Sequence, residues 1–443
     1  MFSDKKNKHH NSIWRKSKNP RLIFRSLRYR NFRLFFSGQL ISLIGTWMQT
    51  IAMSWLVYRL TNSAFILGLV GFFSQIPAFL LTPFAGVLID RWNRHRILVI
   101  TQTLSMLQAF VIAFLVIKGV VAVWHIIFLS LLLGLINAFD IPTRQSFIID
   151  MVEKKEDLAN AIALNSSMFN LARLIGPSIA GILIAVVGEG MCFLFNGISF
   201  LAVIIALLAM KNIPKGLKSK RSNILEELKE GVKYVFGFIP IRFILLLLSL
   251  ISLVGMSYAV LMPVFARNIL GGGPHTLGFL MGSIGLGALF ATIYLASRTT
   301  VLGLVKIIAI ATSIFGMGLV FFSFSSTLWL SLIILFITGF AMMVQMASSN
   351  TILQTIAEDD KRGRVMSFYT MSFMGVAPFG SLIAGILASK IGAAYTVTIG
   401  GFACLLGAVV FASKINLFRE KIHPIYVKLG FFPQVTPSIK PPD

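Results

Sequence analysis

Three charged residues sit inside long apolar runs of this chain: Asp140, Arg144 and Arg173. A lone charge is costly to desolvate, so such a side chain either pairs with an opposite charge or works as a proton or ion relay. Asp140 and Arg144 are four residues apart, the spacing that brings two side chains together on one helix face. Arg173 lies 15 residues before Gly188, and Asp140 lies 16 residues after Trp124. On two helices running to the same outer boundary, both sit roughly 22–24 Å in. The spacing predicts that Asp140 bridges Arg144, Arg173 or both. Two readings stay open: a protonatable switch or anion contact, and a structural ion pair.

Uncharged polar residues repeat at helical spacing in the same kind of surroundings. One set is Gln39, Ser42, Thr46 and Gln49; others are Asn165 and Asn170, Ser257 and Tyr258, and Gln345, Asn350 and Gln354. They are candidates for a substrate cavity lined by Gln39, Thr46, Gln49, Asn165, Asn170, Tyr258, Gln345 and Asn350, or for hydrogen bonds between helices. Nothing points to an enzyme, a cofactor or a metal. GGGP at 271–274 lacks the Lys-Ser/Thr of a phosphate loop and reads as a turn. Cys192 and Cys404 stand alone, and apart from His9-His10 the histidines are scattered.

The elements that must position these residues are membrane helices. Of 443 residues, 56% are hydrophobic and only 13% charged, about half the charge of a soluble domain. Twelve runs are long enough to span a bilayer: 34–58, 64–88, 97–117, 121–144, 158–187, 191–210, 239–266, 274–297, 303–324, 327–353, 363–389 and 392–413. Residues 1–33 form a basic tail with no cleavage site of the secretory type, suited to anionic membrane lipid. Residues 211–238 are a polar linker ending in an amphipathic helix, and 414–443 a proline-bearing tail. The fold class is therefore an all-α polytopic membrane protein, with six-helix bundles at 34–210 and 239–413.

Charge sets the orientation. The net charge is +24, from 40 Lys+Arg and 16 Asp+Glu. Of the basic residues, 35 fall in the two tails, the linker and alternate loops. Four lie on the other side (Arg59, Lys118, Arg267 and Lys390), and Arg173 lies inside a span. The positive-inside rule then puts both termini in the cytoplasm and accounts for the basic balance without nucleic acid. The halves also repeat. GPSIAGILIAVVG at 176–188 and GSLIAGILASKIG at 380–392 are 204 residues apart, each in the fifth span of its half, as in transporters built from two copies of one unit.

The loop after the second span reads GVLIDRWNRHR at 86–96. Gly86 permits close helix approach. Asp90 can accept from backbone N–H groups at a helix start. Arg91, Arg94 and Arg96 can hold carboxylates of the adjoining bundle as a conformational latch. This loop resembles the signature of the major facilitator superfamily, with Asn93 in place of the second glycine, a residue that tolerates left-handed backbone. SGQLISLIGTWMQTIAMSWLVYRLTNSAFILGLVGF (37–72) and DIPTRQSFIIDMVEKKEDLANAIALNSSMFNLARLIGPSIAG (140–181) are similar to the branch containing the bacterial enterobactin exporter and related efflux proteins. Gly176, Pro177 and Gly181 resemble the superfamily's antiporter motif. The loop after the eighth span keeps only Arg298 and lacks the acidic partner.

The resemblance implies two pseudo-symmetric bundles in the inner membrane. It implies a secondary-active exporter of a small amphipathic compound, siderophore-like or a drug, driven by protons and acting as a monomer. The alternatives are an importer on the same fold and a scaffold or sensor that transports nothing.

Overall fold

The computed structural model describes residues 24–211, 232–298, 300–358 and 361–428, and, within its helices, side chains other than those of 82–88, 90, 91, 155 and 428. Both chain ends and most of the linker lie outside the described residues; of its expected amphipathic helix only the end, from 232, is described, and it is helical. Among the described residues, twelve helices are long and apolar enough to cross a membrane. They are α1 (Arg30–Thr61), α2 (Ala64–Arg91), α3 (Arg94–Ile117), α4 (Val123–Asp150), α5 (Lys155–Val187), α6 (Glu189–Leu208), α7 (Ile239–Ile269), α8 (Pro274–Ser297), α9 (Leu304–Ser323), α10 (Leu328–Ile356), α11 (Arg362–Ile391) and α12 (Ala393–Ser413). A shorter helix, α13 (Ile415–Lys428), follows. Several run past the apolar stretch that marks them in the sequence. The polar ends are helical too, because the backbone ladder does not stop where the lipid does; α4 continues through Pro142 to Asp150.

The chain changes direction at sites the backbone explains. A single glycine joins α5 to α6 and another joins α11 to α12: Gly188 at φ +84° and Gly392 at φ +88°, in a region essentially reserved for glycine. They end the two repeated sequence segments at the same place. Asn93 departs from expectation. Its backbone is extended, not left-handed, and its side chain caps α3 by accepting from the Arg96 N–H. The asparagine stands in for the glycine by capping a helix rather than by relaxing a turn.

Contacts divide the chain into two compact units. One comprises Met1–Leu60, Ile76–Lys220 and Gly273–Gly282; the other comprises Thr61–Gln75, Arg221–Gly272 and Ser283–Asp443. The first centres on aromatic and aliphatic packing among Phe32, Phe35, Phe147, Phe200 and Val203. In the second, α13 docks Phe418, Ile422 and Tyr426 inward, with Phe418 against Phe411 and Phe243. That burial pushes the Tyr426 phenol above its ordinary pKa. Outward-facing side chains such as Trp124, Phe128, Ile205, Leu208, Trp329 and Leu406 are more than half exposed, a surface matched to lipid and not to water.

Glycines set the closest approaches, and they repeat. A Cβ at Gly181 on α5 would lie 2.8 Å from the Gly278 Cα on α8; a Cβ at Gly385 on α11 would lie 2.8 Å from the Gly68 Cα on α2. Gly181 and Gly385 are 204 residues apart, as the sequence repeat requires.

One equivalence is unequal in conformation. α1 contains LISLIG at 40–45, and α7 contains LISLVG at 250–255. The first is α-helical throughout. The second closes as a π turn over Ile251–Gly255, with the Met256 N–H donating to the Ile251 carbonyl five residues back. A neighbour supplies the reason. A Cβ at Gly400 on α12 would lie 2.4 Å from the Val254 carbonyl oxygen, so only glycine admits the wider turn there. Counting from Gly188 and Gly392, the matching residue on α6 is Asn196, whose side chain fills the equivalent space beside α1.

Candidate functional site

Asp140 is 3% exposed and is held from two helices. Thr101 Oγ1 and Gln102 Nε2 of α3 donate to its Oδ1 at 2.8 and 2.7 Å. Arg144 Nη2, one turn along α4, lies 3.1 Å from its Oδ2. Of the two arginines expected as partners, the structure chooses Arg144; Arg173 is not among the groups bonded to Asp140. The i,i+4 geometry needs no second helix, which is why it prevails. Two hydrogen bonds and an ion pair satisfy the carboxylate, as a buried charge requires.

Arg173 lies instead with its guanidinium 5.9 Å from the centre of the Trp47 ring on α1. Gly176, one turn on, makes this approach possible: a Cβ there would sit 2.5 Å from the Trp47 Cβ. Arg144 in turn lies 5.9 Å from the Phe169 ring of α5, and Phe169 is 41% exposed. Two arginines and two aromatic faces thus occupy one stretch of α1, α4 and α5. The exposed surface of α5 leading to them is polar: Ser166 and Ser167 are exposed, and Asn165 and Asn170 half-buried. The Ser166 and Ser167 hydroxyls donate to the Ile162 and Ala163 carbonyls of their own helix.

The other polar candidates divide. Gln49 is buried at the centre of a bundle network: its Nε2 donates to Gln108 Oε1 at 3.0 Å, and Asn196 Nδ2 donates to its Oε1 at 2.7 Å. Gln39 and Tyr258 are each 2% exposed, and Tyr258 packs edge-on against Phe315. These three lie inside the helix packing rather than at an open wall. Thr46 is half-buried and its hydroxyl donates to the Ser42 carbonyl. Asn350 accepts from Gln354 at 2.6 Å. Gln345 is 1% exposed; its Nε2 donates to Ser349 Oγ at 3.2 Å, and its Oε1 has no partner among the described residues.

Gln345 holds an instructive position. α10 begins 205 residues after α4, at Leu328 and Val123, so Gln345 and Ser349 match Asp140 and Arg144. The same i,i+4 pairing is charged in one half and neutral in the other. α11 repeats the contrast against α5. Over 365–378 its exposed residues are Ser367, Thr370, Met371 and Met374, and Met374 and Ala377 stand where α5 has Asn170 and Arg173.

Of the expected latch, the side chains of Gly86, Asp90 and Arg91 lie outside the described residues. Arg94 pairs with Asp150 of its own half, Nη1 to Oδ2 at 3.2 Å, and Arg96 is exposed. One cluster was not anticipated. Arg25, Arg28 and Tyr29, ahead of α1, converge on the Asp157 carboxylate at the start of α5, while the Ser26 N–H and Oγ both donate to Asn160 Oδ1. The partners are about 130 residues apart in sequence, and no local spacing announces them.

The profile of a family described as transmembrane secretion effectors matches residues 23–423. The staphyloferrin A transporter of Staphylococcus aureus is 28% identical over 86% of this chain and 95% of its own length. The multidrug efflux pump Tap of Mycolicibacterium fortuitum is 26% identical over 79% and 87%. Among solved structures, a bacterial homologue of the human lysosomal transporter Spinster aligns with a TM-score of 0.68 at 14% identity, covering 90% of this chain and 98% of that one.

Proposed function

Because this chain belongs to the transmembrane secretion effector family of the major facilitator superfamily, a family of transporters and not enzymes, we propose that it exports a small amphipathic compound with an acidic end. The substrate is a siderophore-like metabolite or a drug, moved outward across the inner membrane by proton antiport with alternating access. The chain acts as a monomer with both termini and residues 211–238 in the cytoplasm, in keeping with the 35-to-4 distribution of basic residues. The bundles at 34–210 and 239–413 are its moving halves.

One observation carries the substrate class: the polar stripe of α5 ends at Arg173 beside Trp47, near Arg144 beside Phe169. Arg173 and Arg144 bring two guanidiniums to this stretch, Arg144 paired with Asp140. An anionic group is drawn to it, and the aromatic faces take the adjoining apolar part. The α11 stripe, with Met371 and Met374, offers a neutral and adaptable surface at the matching level. Coupling follows from the Asp140–Arg144 pair. A substrate anion that engages Arg144 competes with Asp140 for that cation, so substrate binding and the state of the pair are linked.

Efflux from substrate-loaded, energised cells tests this reading, with and without an uncoupler. Export should stop with the uncoupler, and Arg173→Ala should slow efflux of acidic compounds at least about tenfold more than that of neutral ones, the worth of one charged contact. Export indifferent to the uncoupler removes antiport; accumulation that falls in cells lacking the protein replaces the exporter by an importer.

A further inference from the structure

α7 has two π turns, Ile251–Gly255 and, at its end, Phe265–Ile269; the first has a companion on another helix. α11 contains it, Met371–Gly375, and the two are bonded: Ser252 Oγ of α7 donates to the Phe373 carbonyl of α11. The chemistry of that carbonyl explains the bond. In a π turn each carbonyl looks to the N–H five residues on. For Phe373 that residue is Pro378, which has none. The Ser252 hydroxyl bonds to this carbonyl from the neighbouring helix.

We propose that the paired π turns of α7 and α11 form a bending joint with Ser252 as its pin, so that the C-terminal half changes shape within itself while α1 and α5 remain straight. Four observations converge on it. The α-helical ladder is already broken at the same level in both helices. The turns lie against glycine, since a Cβ at Gly380 would fall 2.4 Å from the Leu253 carbonyl oxygen. A single side-chain hydroxyl of α7 is bonded to a carbonyl inside the α11 turn, five residues before Pro378. The N-terminal half supplies the control: Ser42 matches Ser252 in the shared hexapeptide, its hydroxyl is buried without a partner among the described residues, and α5 stays α-helical with Leu174 in place of Pro378, even through its own Pro177 three residues on.

Two measurements on the purified full-length protein test the joint, neither requiring substrate. Spin labels at Ser367 and Ser389 bracket the α11 turn, and labels at Ala163 and Ala185 bracket the equivalent stretch of α5, each pair roughly 33 Å apart along a helix. The distance distribution across α11 should be at least about twofold broader, and Pro378→Ala, which restores an N–H, should narrow it. Equal widths in the two helices overturn the joint. Hydrogen exchange tests the pin. Ser252→Ala should speed exchange of amides 371–377 about three- to tenfold, the worth of one hydrogen bond, and Ser42→Ala should leave amides 165–175 unchanged. Adding Pro378→Ala to Ser252→Ala should restore slow exchange. An unchanged rate in Ser252→Ala, or a rise spread over the whole C-terminal half, rejects Ser252 as the pin. If Ser252→Ala does not fold, Ser252→Thr keeps the hydroxyl, and exchange faster than in the unaltered protein gives the same rejection.

Discussion

The two halves of this transporter run the same helices past the same glycines, yet one invests in charge and the other in backbone irregularity. The N-terminal half pairs a buried Asp140 with Arg144 and keeps α1 and α5 α-helical throughout, α5 even through Pro177. At the matching positions the C-terminal half has Gln345 and Ser349, and it opens π turns in α7 and α11. Neither difference is visible in the fold as a whole. Both come from single residues: a carboxylate in place of an amide, Gly400 in place of Asn196, Pro378 in place of Leu174. A duplicated scaffold thus separates two tasks, holding charge and yielding shape, by a handful of substitutions.

The largest expected effect breaks the charge contrast. Arg144→Ala strands the Asp140 carboxylate and should destabilise the protein by about 3–5 kcal/mol, whereas Ser349→Ala should cost about 1 kcal/mol or less. Thermal unfolding of the purified variants measures both, and equal losses would dissolve the contrast. Double neutralisation with Asp140→Asn should recover much of the loss, since no charge is then stranded.

Equal effects are expected where the halves agree. Gly181→Ala and Gly385→Ala each drive a Cβ against a partner glycine's backbone, so each should cost about 1–3 kcal/mol through forced backbone shifts. A several-fold difference between them would show that the two crossings are not equivalent under load. Gly188→Ala and Gly392→Ala meet open space but require positive φ, so their shared cost is conformational, about 1–2 kcal/mol. The smallest effect sharpens the hexapeptide comparison. Ser42→Ala removes a buried hydroxyl that bonds to nothing described and should be neutral or slightly stabilising, against a loss of about 1 kcal/mol for Ser252→Ala.

Much of this could be read from the residues. Long apolar runs mark α1 to α12, because lipid demands them, and the GPSIAGIL/GSLIAGIL repeat marks α5 and α11 as copies. The i,i+4 spacing of Asp140 and Arg144 carries their pairing. Other features could not be read. Gln49 looks like cavity lining at helical spacing, and only three-dimensional packing brings Gln108 and Asn196 to it. The Asp157 cluster joins residues too far apart for any pattern. The π turns depend on which residue of a neighbouring helix is glycine. The signal that was present and unused is the LISLIG/LISLVG repeat, which marks α7 as the copy of α1 as plainly as the other repeat marks α11.

The Asp140–Arg144 pair also bears on how the protein is made. A charge entering the bilayer on a nascent helix costs about 2.5–3.5 kcal/mol on insertion scales. Asp140 meets its cation four residues later on its own helix, and its two other partners, Thr101 and Gln102, belong to α3, which is synthesised first. The carboxylate is therefore neutralised as soon as α4 leaves the ribosome and joins the helix already in place. Had Arg173 been the sole partner, the charge would have waited for the next span, exposed to lipid during the interval in which quality-control proteases sample a half-built protein.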